Sequence, residues 1–66
     1  MTAIESVEEN LYNLLSKEAR ADTQVLRLRY IEECKIQVRT AIKDGIDITS
    51  FIDLIDEIDR RYKDAI

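Results

Sequence analysis

The chain has 66 residues with one cysteine and no histidine, so it is one small domain without an intramolecular disulfide or a zinc site of the usual kind. Its formal net charge of −4 argues against a nucleic-acid-binding protein. A chain this short buries only about 60% of the surface that its unfolded state exposes. We therefore expect association with another chain to add stability.

The first segment begins with two overlapping helix-capping patterns, Thr2-x-x-Glu5 and Ser6-x-x-Glu9. Each pattern supplies a hydroxyl for free backbone amides and a carboxylate near the positive end of the helix. An apolar stripe at helical spacing follows, with Ile4, Val7, Leu11, Leu14 and Leu15. The pattern predicts an amphipathic first helix that fades after Ala19.

The boundary between the first and second segments lies in residues 20–24, which contain neither proline nor glycine. Asp22 or Thr23 can act as a new N-cap there. We expect a separate first helix that ends before this cap. One kinked helix through both segments is the alternative.

The stretch from Asp22 to Ile42 predicts the central helix. Its main apolar face consists of Leu28, Ile31, Cys34, Val38, Ala41 and Ile42. Val25 and Ile36 fall well off that face, with Leu26 and Tyr30 at its edge. Because this is more apolar surface than one neighbour can cover, we expect the helix to contact both neighbouring segments and another chain.

The sequence Asp44-Gly45-Ile46-Asp47 predicts a tight turn. Gly45 can adopt the left-handed conformation that ends a helix, with Ile46 folding back on the helix end. Asp47 suits the next N-cap, and Ile46 can contact Phe51 at the start of the new helix. A turn this short makes the flanking helices antiparallel.

The last segment predicts a regular amphipathic helix. Its apolar stripe contains Phe51, Leu54, Ile55, Ile58, Tyr62 and Ile66. On the remaining surface, three acidic residues each precede a basic residue by four positions, the favourable order for an ion pair along a helix. The pairs are Asp56–Arg60, Glu57–Arg61 and Asp59–Lys63.

These elements predict an all-α protein of two to three helices: an antiparallel helical hairpin with an additional N-terminal helix, in one domain over residues 1–66. The first helix closes the bundle or extends a partner-binding surface. The expected core contains Leu28, Ile31, Val38, Ile42, Phe51, Leu54, Ile55, Ile58 and Tyr62.

The residue types for catalysis are missing. Without histidine, the usual activated serine or cysteine nucleophiles are absent, and no glycine-rich phosphate loop exists. Cys34 lies on the apolar face, where a buried thiol is inert. Asp53, Asp56 and Glu57 lie on the outer face of the last helix, where solvated charge explains them. We predict no enzyme activity, no metal and no cofactor. The chain has no membrane span or secretory signal pattern, so a cytoplasmic location is expected.

One alternative function follows from residues 25–32. The run Val25-Leu-Arg-Leu-Arg-Tyr30 resembles the helix that precedes the helix-turn-helix in the DNA-binding region of bacterial sigma factors. This resemblance implies a small phage- or plasmid-type regulator with a helix-turn-helix-like core that acts on the transcription machinery. The helix after Asp47 is acid-rich and would be repelled by phosphates, so no nucleic acid is expected as a partner.

A second resemblance covers more of the chain. Residues 1–4, 7–11, 16–20 and 26–29, which read MTAI, VEENL, SKEAR and LRLR, resemble the small helical co-chaperones of type III secretion needle subunits. That family implies a helical hairpin that packs against a tetratricopeptide-repeat chaperone and helps to shield the needle subunit before export. The stretch before the Gly45 turn is longer here than in the family, and the helix after it is shorter.

The expected function is therefore non-enzymatic protein binding by an adaptor, with a needle-subunit co-chaperone as its most concrete form. The partner is a helical chaperone, a needle-type subunit or further copies of the chain. The residues predicted to bind it are Val25, Leu26, Arg29 and Ile36 of the central helix and Ile4, Val7 and Leu11 of the first helix.

Overall fold

A computed structural model describes residues 3–66, which form three α-helices and no strand. Helix α1 spans Ala3–Ala19, α2 spans Gln24–Lys43 and α3 spans Ile52–Ala65. A short 3-10 turn, Ile48–Phe51, precedes α3. The predicted all-α fold is confirmed.

The boundary between α1 and α2 separates two distinct helices. Helix α2 begins after Thr23, whose hydroxyl oxygen accepts a hydrogen bond from the backbone N–H of Leu26 at 3.2 Å. The alternative of one kinked helix is therefore wrong. Helix α1 is already formed at Ala3, so Ser6 lies inside the helix and does not cap it. The capping pattern that begins at Thr2 lies outside the described residues.

The turn after α2 has the predicted glycine-dependent geometry. Gly45 has a φ of +82°, in the left-handed region that residues with a Cβ rarely adopt. The N–H of Ile46 donates to the carbonyl oxygen of Ala41 at 2.9 Å, and the N–H of Gly45 donates to that of Ile42 at 3.1 Å. These two hydrogen bonds satisfy carbonyl groups that the end of α2 would otherwise leave unpaired.

Asp47 caps the element that follows, as predicted, but that element is the 3-10 turn. The Asp47 carboxylate accepts hydrogen bonds from the hydroxyl group of Thr49 at 2.6 Å and from its N–H at 3.0 Å. Both hydrogen bonds favour the ionised form and lower the pKa of Asp47. The turn carries the buried ring of Phe51 to the core before α3 begins.

Helices α2 and α3 lie side by side and antiparallel. At the end far from Gly45, the side-chain amide of Gln24 donates to the carbonyl oxygen of Ala65. Further along, the Lys35 ammonium lies 3.7 Å from the centre of the Tyr62 ring. Both contacts join α2 to the last part of α3, as expected for the predicted helical hairpin.

The core lies where α1 and α3 pack against the inner side of α2. Its buried members are Leu11, Leu15, Ile31, Cys34, Phe51, Leu54, Ile58 and Ala65. Leu28, Val38, Ile55 and Tyr62 are half-buried against them, as predicted. Ile42 was wrongly placed in the core, since it is 53% exposed. The buried residue at this end of α2 is Ala41, and one residue turns a side chain by about 100° around a helix. Ile66 is also exposed, because α3 ends at Ala65.

Candidate protein interface

The candidate site is a line of exposed side chains along the outer side of α2. Its members follow one another at intervals of four and three residues, which keeps them on one side of the helix. We call this line the α2 ridge, and it consists of Val25, Arg29, Glu32, Ile36 and Arg39, all of them exposed. Val25 is 74% exposed and Ile36 is 57% exposed.

The inner side of the same helix holds its three buried residues. Ile31 and Cys34 are 0% exposed, and Ala41 is 2% exposed. The two neighbouring helices therefore satisfy the inner side and leave the ridge open, as predicted for Val25 and Ile36. An exposed isoleucine and valine on one line distinguish this surface from the polar outer face expected of an amphipathic helix.

The charged side chains of the ridge are unpaired among the residues that the structure describes. The side chains of Arg29, Glu32 and Arg39 form no hydrogen bond or ion pair with any residue in the range 3–66. Helix α2 holds five basic and two acidic residues, whereas the whole chain has a net charge of −4. The ridge thus offers two apolar contacts and three uncommitted charges to a binding partner.

The two flanks of the ridge differ. Leu26, another predicted partner-binding residue, is 37% exposed and lies one residue around the helix from Val25, beside the ridge. On the side facing α3, a shallow depression is lined by Glu32, Lys35, Ile36, Arg39 and Tyr62. The Lys35 ammonium covers the Tyr62 ring there, which makes this flank polar.

The predicted contribution of α1 to the interface is corrected. Leu11 is 0% exposed, so it belongs to the core and is not available to a partner. Ile4 and Val7 are half-buried and pack against the same core. The apolar stripe of α1 packs mainly against α2, with the 3-10 turn beside it. Leu11 is therefore removed from the predicted site, whereas Ile4 and Val7 remain partly exposed.

A buried carboxylate joins the three helices at the end opposite Gly45. The side chain of Glu18 in α1 is 4% exposed, and one of its oxygens lies 3.4 Å from Nε of Arg27 in α2. Its other oxygen lies 3.2 Å from Nη1 of Arg61 in α3. Arg61 also donates to the backbone carbonyl of Leu15 at 3.2 Å and pairs with Glu57 at 3.0 Å.

Sequence reasoning predicted only one of these contacts, the pair of Glu57 and Arg61. The position of Glu18, seven residues after Leu11 and three after Leu15, continues the apolar stripe of α1. That placement was the available signal for its burial. Because Glu18 of α1 pairs with Arg27 of α2 and with Arg61 of α3, this cluster joins the three helices and is structural.

Cys34 is a core residue and not a reactive thiol. It is free and fully buried. Burial is the main cause that raises its pKa from 9.0 to about 11, and the nearby Arg61 only partly opposes the shift. A thiol with so high a pKa is almost entirely protonated at neutral pH and is a poor nucleophile.

Within residues 3–66, no group of three or more acidic, cysteine or histidine side chains is arranged to hold a metal ion. No helix among these residues combines the length and apolar character needed to cross a membrane. Comparisons with protein-family models, curated proteins and solved structures give no significant match to this chain.

Proposed function

We propose that this protein is a non-enzymatic adaptor that binds a helical protein through the α2 ridge. The observation that carries the proposal is the exposure of Val25 and Ile36 on one side of a helix whose opposite side holds the buried Ile31, Cys34 and Ala41. A helical partner laid along the ridge would cover both side chains. Recognition of this kind uses apolar anchors at helical spacing.

The state of the potentially reactive groups supports binding rather than catalysis. The single thiol is sealed in the core. The buried Glu18 is fully engaged by Arg27 and Arg61. What the described surface offers instead is apolar area between uncommitted charges, which is the composition of a protein-binding site.

The partner class follows from the resemblance to the co-chaperones of type III secretion needle subunits. It implies that the partner is a needle-type subunit or its repeat-containing chaperone, acting in the cytoplasm. Both are helical proteins, which suits a ridge with heptad-like spacing. In this proposal the adaptor covers apolar surface on an export substrate until the substrate is released.

The test is co-expression of the chain with the products of its neighbouring genes, followed by size-exclusion chromatography of the purified proteins. We expect one helical product to co-elute with the wild type and not with Ile36→Glu. Tyr12→Glu is the matched control, because Tyr12 is 59% exposed on α1 and lies away from the ridge. A partner that remains bound to Ile36→Glu and Val25→Glu would contradict the proposed interface.

A further inference from the structure

The α2 ridge is complementary to itself when read in opposite directions. From the N-terminus it reads apolar, basic, acidic, apolar, at Val25, Arg29, Glu32 and Ile36. The reverse order is apolar, acidic, basic, apolar. Two antiparallel copies therefore place Val25 opposite Ile36 and Arg29 opposite Glu32. A two-fold axis between residues 30 and 31 generates every pair twice.

The spacing of the ridge suits such a pairing. Intervals of four and three residues are those of the seam between two helices in a coiled coil. The ridge from Val25 to Ile36 is about 17 Å long, at 1.5 Å per residue. In this register a Val25–Ile36 pair lies at each end of the contact, and the two Arg29–Glu32 ion pairs lie between them.

The parallel arrangement is unfavourable by the same reasoning. Parallel copies in register would place Arg29 against Arg29 and Glu32 against Glu32. Like charges at contact positions repel and exclude a pairing. The antiparallel arrangement instead satisfies the Arg29 and Glu32 side chains, which have no partner within the described residues.

We propose that the α2 ridge docks against the α2 ridge of a second copy, antiparallel and about a two-fold axis. The inference rests on the proposed function, since it names a second copy as one occupant of the same surface. The same register brings Arg39 to the start of the second copy's helix, where the exposed Asp22 lies. A two-fold contact of this kind is closed and makes a dimer.

The dimer is expected to be weak. One helix ridge with two apolar layers covers less surface than the about 800 Å² per partner of a standard interface. A dimer of this affinity can exchange with a helical partner that uses the same ridge. Association must therefore be measured over a wide range, up to about millimolar protein.

Charge reversal at two positions tests the register directly. Arg29→Glu places carboxylates opposite Glu32 of the second copy, and Glu32→Arg places guanidinium groups opposite its Arg29. We expect each single variant to dimerise at least about tenfold more weakly than the wild type. We expect the double variant Arg29→Glu/Glu32→Arg to regain dimerisation, because both pairs are reversed together.

Mixing the two single variants gives a second, independent readout. One variant is acidic and the other basic at both positions, so an equimolar mixture should form a heterodimer although neither forms a homodimer. The controls are Lys17→Glu on α1 and Glu33→Arg, which is next to Glu32 but about 100° around the helix. Both controls should dimerise like the wild type. Sedimentation equilibrium measures association, and circular dichroism confirms that every variant stays helical.

The possible results separate this inference from the proposed function. Dimerisation lost in the single variants and regained in the double variant and the mixture supports it. A wild type that stays monomeric at about 1 mM, or single variants that dimerise like the wild type, overturns it. If such a monomer still binds a helical partner that Ile36→Glu loses, the proposed function stands without the dimer. If the single variants lose dimerisation and the double variant and the mixture regain it, but no partner binds, the dimer stands without the adaptor function.

Discussion

Isoleucine occurs on both sides of α2, buried on the inner side and exposed on the ridge. Ile31 and Ile36 are five residues apart, yet Ile31 is 0% exposed and Ile36 is 57% exposed. Five residues turn the side chain by about 140° around the helix, from the cover of α1 and α3 to open solvent. The position of an apolar residue around the helix axis thus decides whether it packs in the core or is exposed for binding.

Truncating the buried isoleucine of α2 should destabilise the protein far more than truncating the exposed one. Ile31→Ala should lower the free energy of unfolding by about 2–5 kcal/mol, because it leaves a cavity among buried neighbours. Ile36→Ala should change the free energy of unfolding by no more than about 0.5 kcal/mol, since its side chain is mostly in water. Urea denaturation of dilute protein, followed by circular dichroism, measures both. Similar losses in the two variants would remove the distinction between the sides.

Removing Glu18 should weaken folding without affecting the α2 ridge. Glu18→Ala removes the carboxylate that pairs with Arg27 and Arg61. We expect a loss of roughly 1–3 kcal/mol, below the cost of breaking a fully buried pair because both arginines can reach water. Association through the ridge should survive in the folded fraction. Glu9→Ala, at an exposed position of the same helix, is the control, and an equal loss there would show that Glu18 has no special role.

Gly45 tests the turn that holds α2 and α3 together. A Cβ at this position would meet no atom within 4 Å, so the cost of Gly45→Val is backbone strain at a φ of +82°. We expect a loss of about 1–2 kcal/mol. Gly45→Asn should lose less, because asparagine tolerates the left-handed region. Thermal denaturation of the three proteins would show an unchanged midpoint for Gly45→Val if this account of the turn were wrong.

The burial of Cys34 should make its thiol react more slowly in the folded chain than in the unfolded chain. At pH 8 a thiol reagent should label the folded chain far more slowly than the urea-unfolded chain. The reason is burial, which raises the thiol pKa from 9.0 to about 11 in the fold. Since the unfolded chain loses this proton first, stability should fall as pH rises from 9.0 through about 11. Labelling at equal rates in both states would place the thiol outside the core.

Local signals in the sequence were sufficient for the helices and the turn. The Thr23 cap and the Gly45 turn each depend on residues within a few positions along the chain. The angle of Val25 and Ile36 around α2 also predicted their exposure. These features follow from helix geometry alone, which is why they could be read without tertiary information.

The remaining features depend on contacts between distant segments. The burial of Glu18 was not predicted, since it requires Arg61, 43 residues further along the chain. Leu11 was assigned to the partner surface because a single apolar stripe does not reveal which neighbour covers it. The antiparallel complementarity of the α2 ridge could not be inferred from the sequence, because only the fold shows that the side chains of Arg29 and Glu32 have no partner among the described residues.

On this account the ridge of α2 mediates association, whereas the inner side of α2 stabilises the fold. Sedimentation equilibrium of the wild type, Val25→Glu and Ile36→Glu, with circular dichroism on the same samples, tests it most directly. We predict that the wild type self-associates as concentration rises, and that both variants lose association while keeping their helicity. Variants that lose helicity, or a wild type that remains monomeric at every concentration and binds no partner, would contradict the claim.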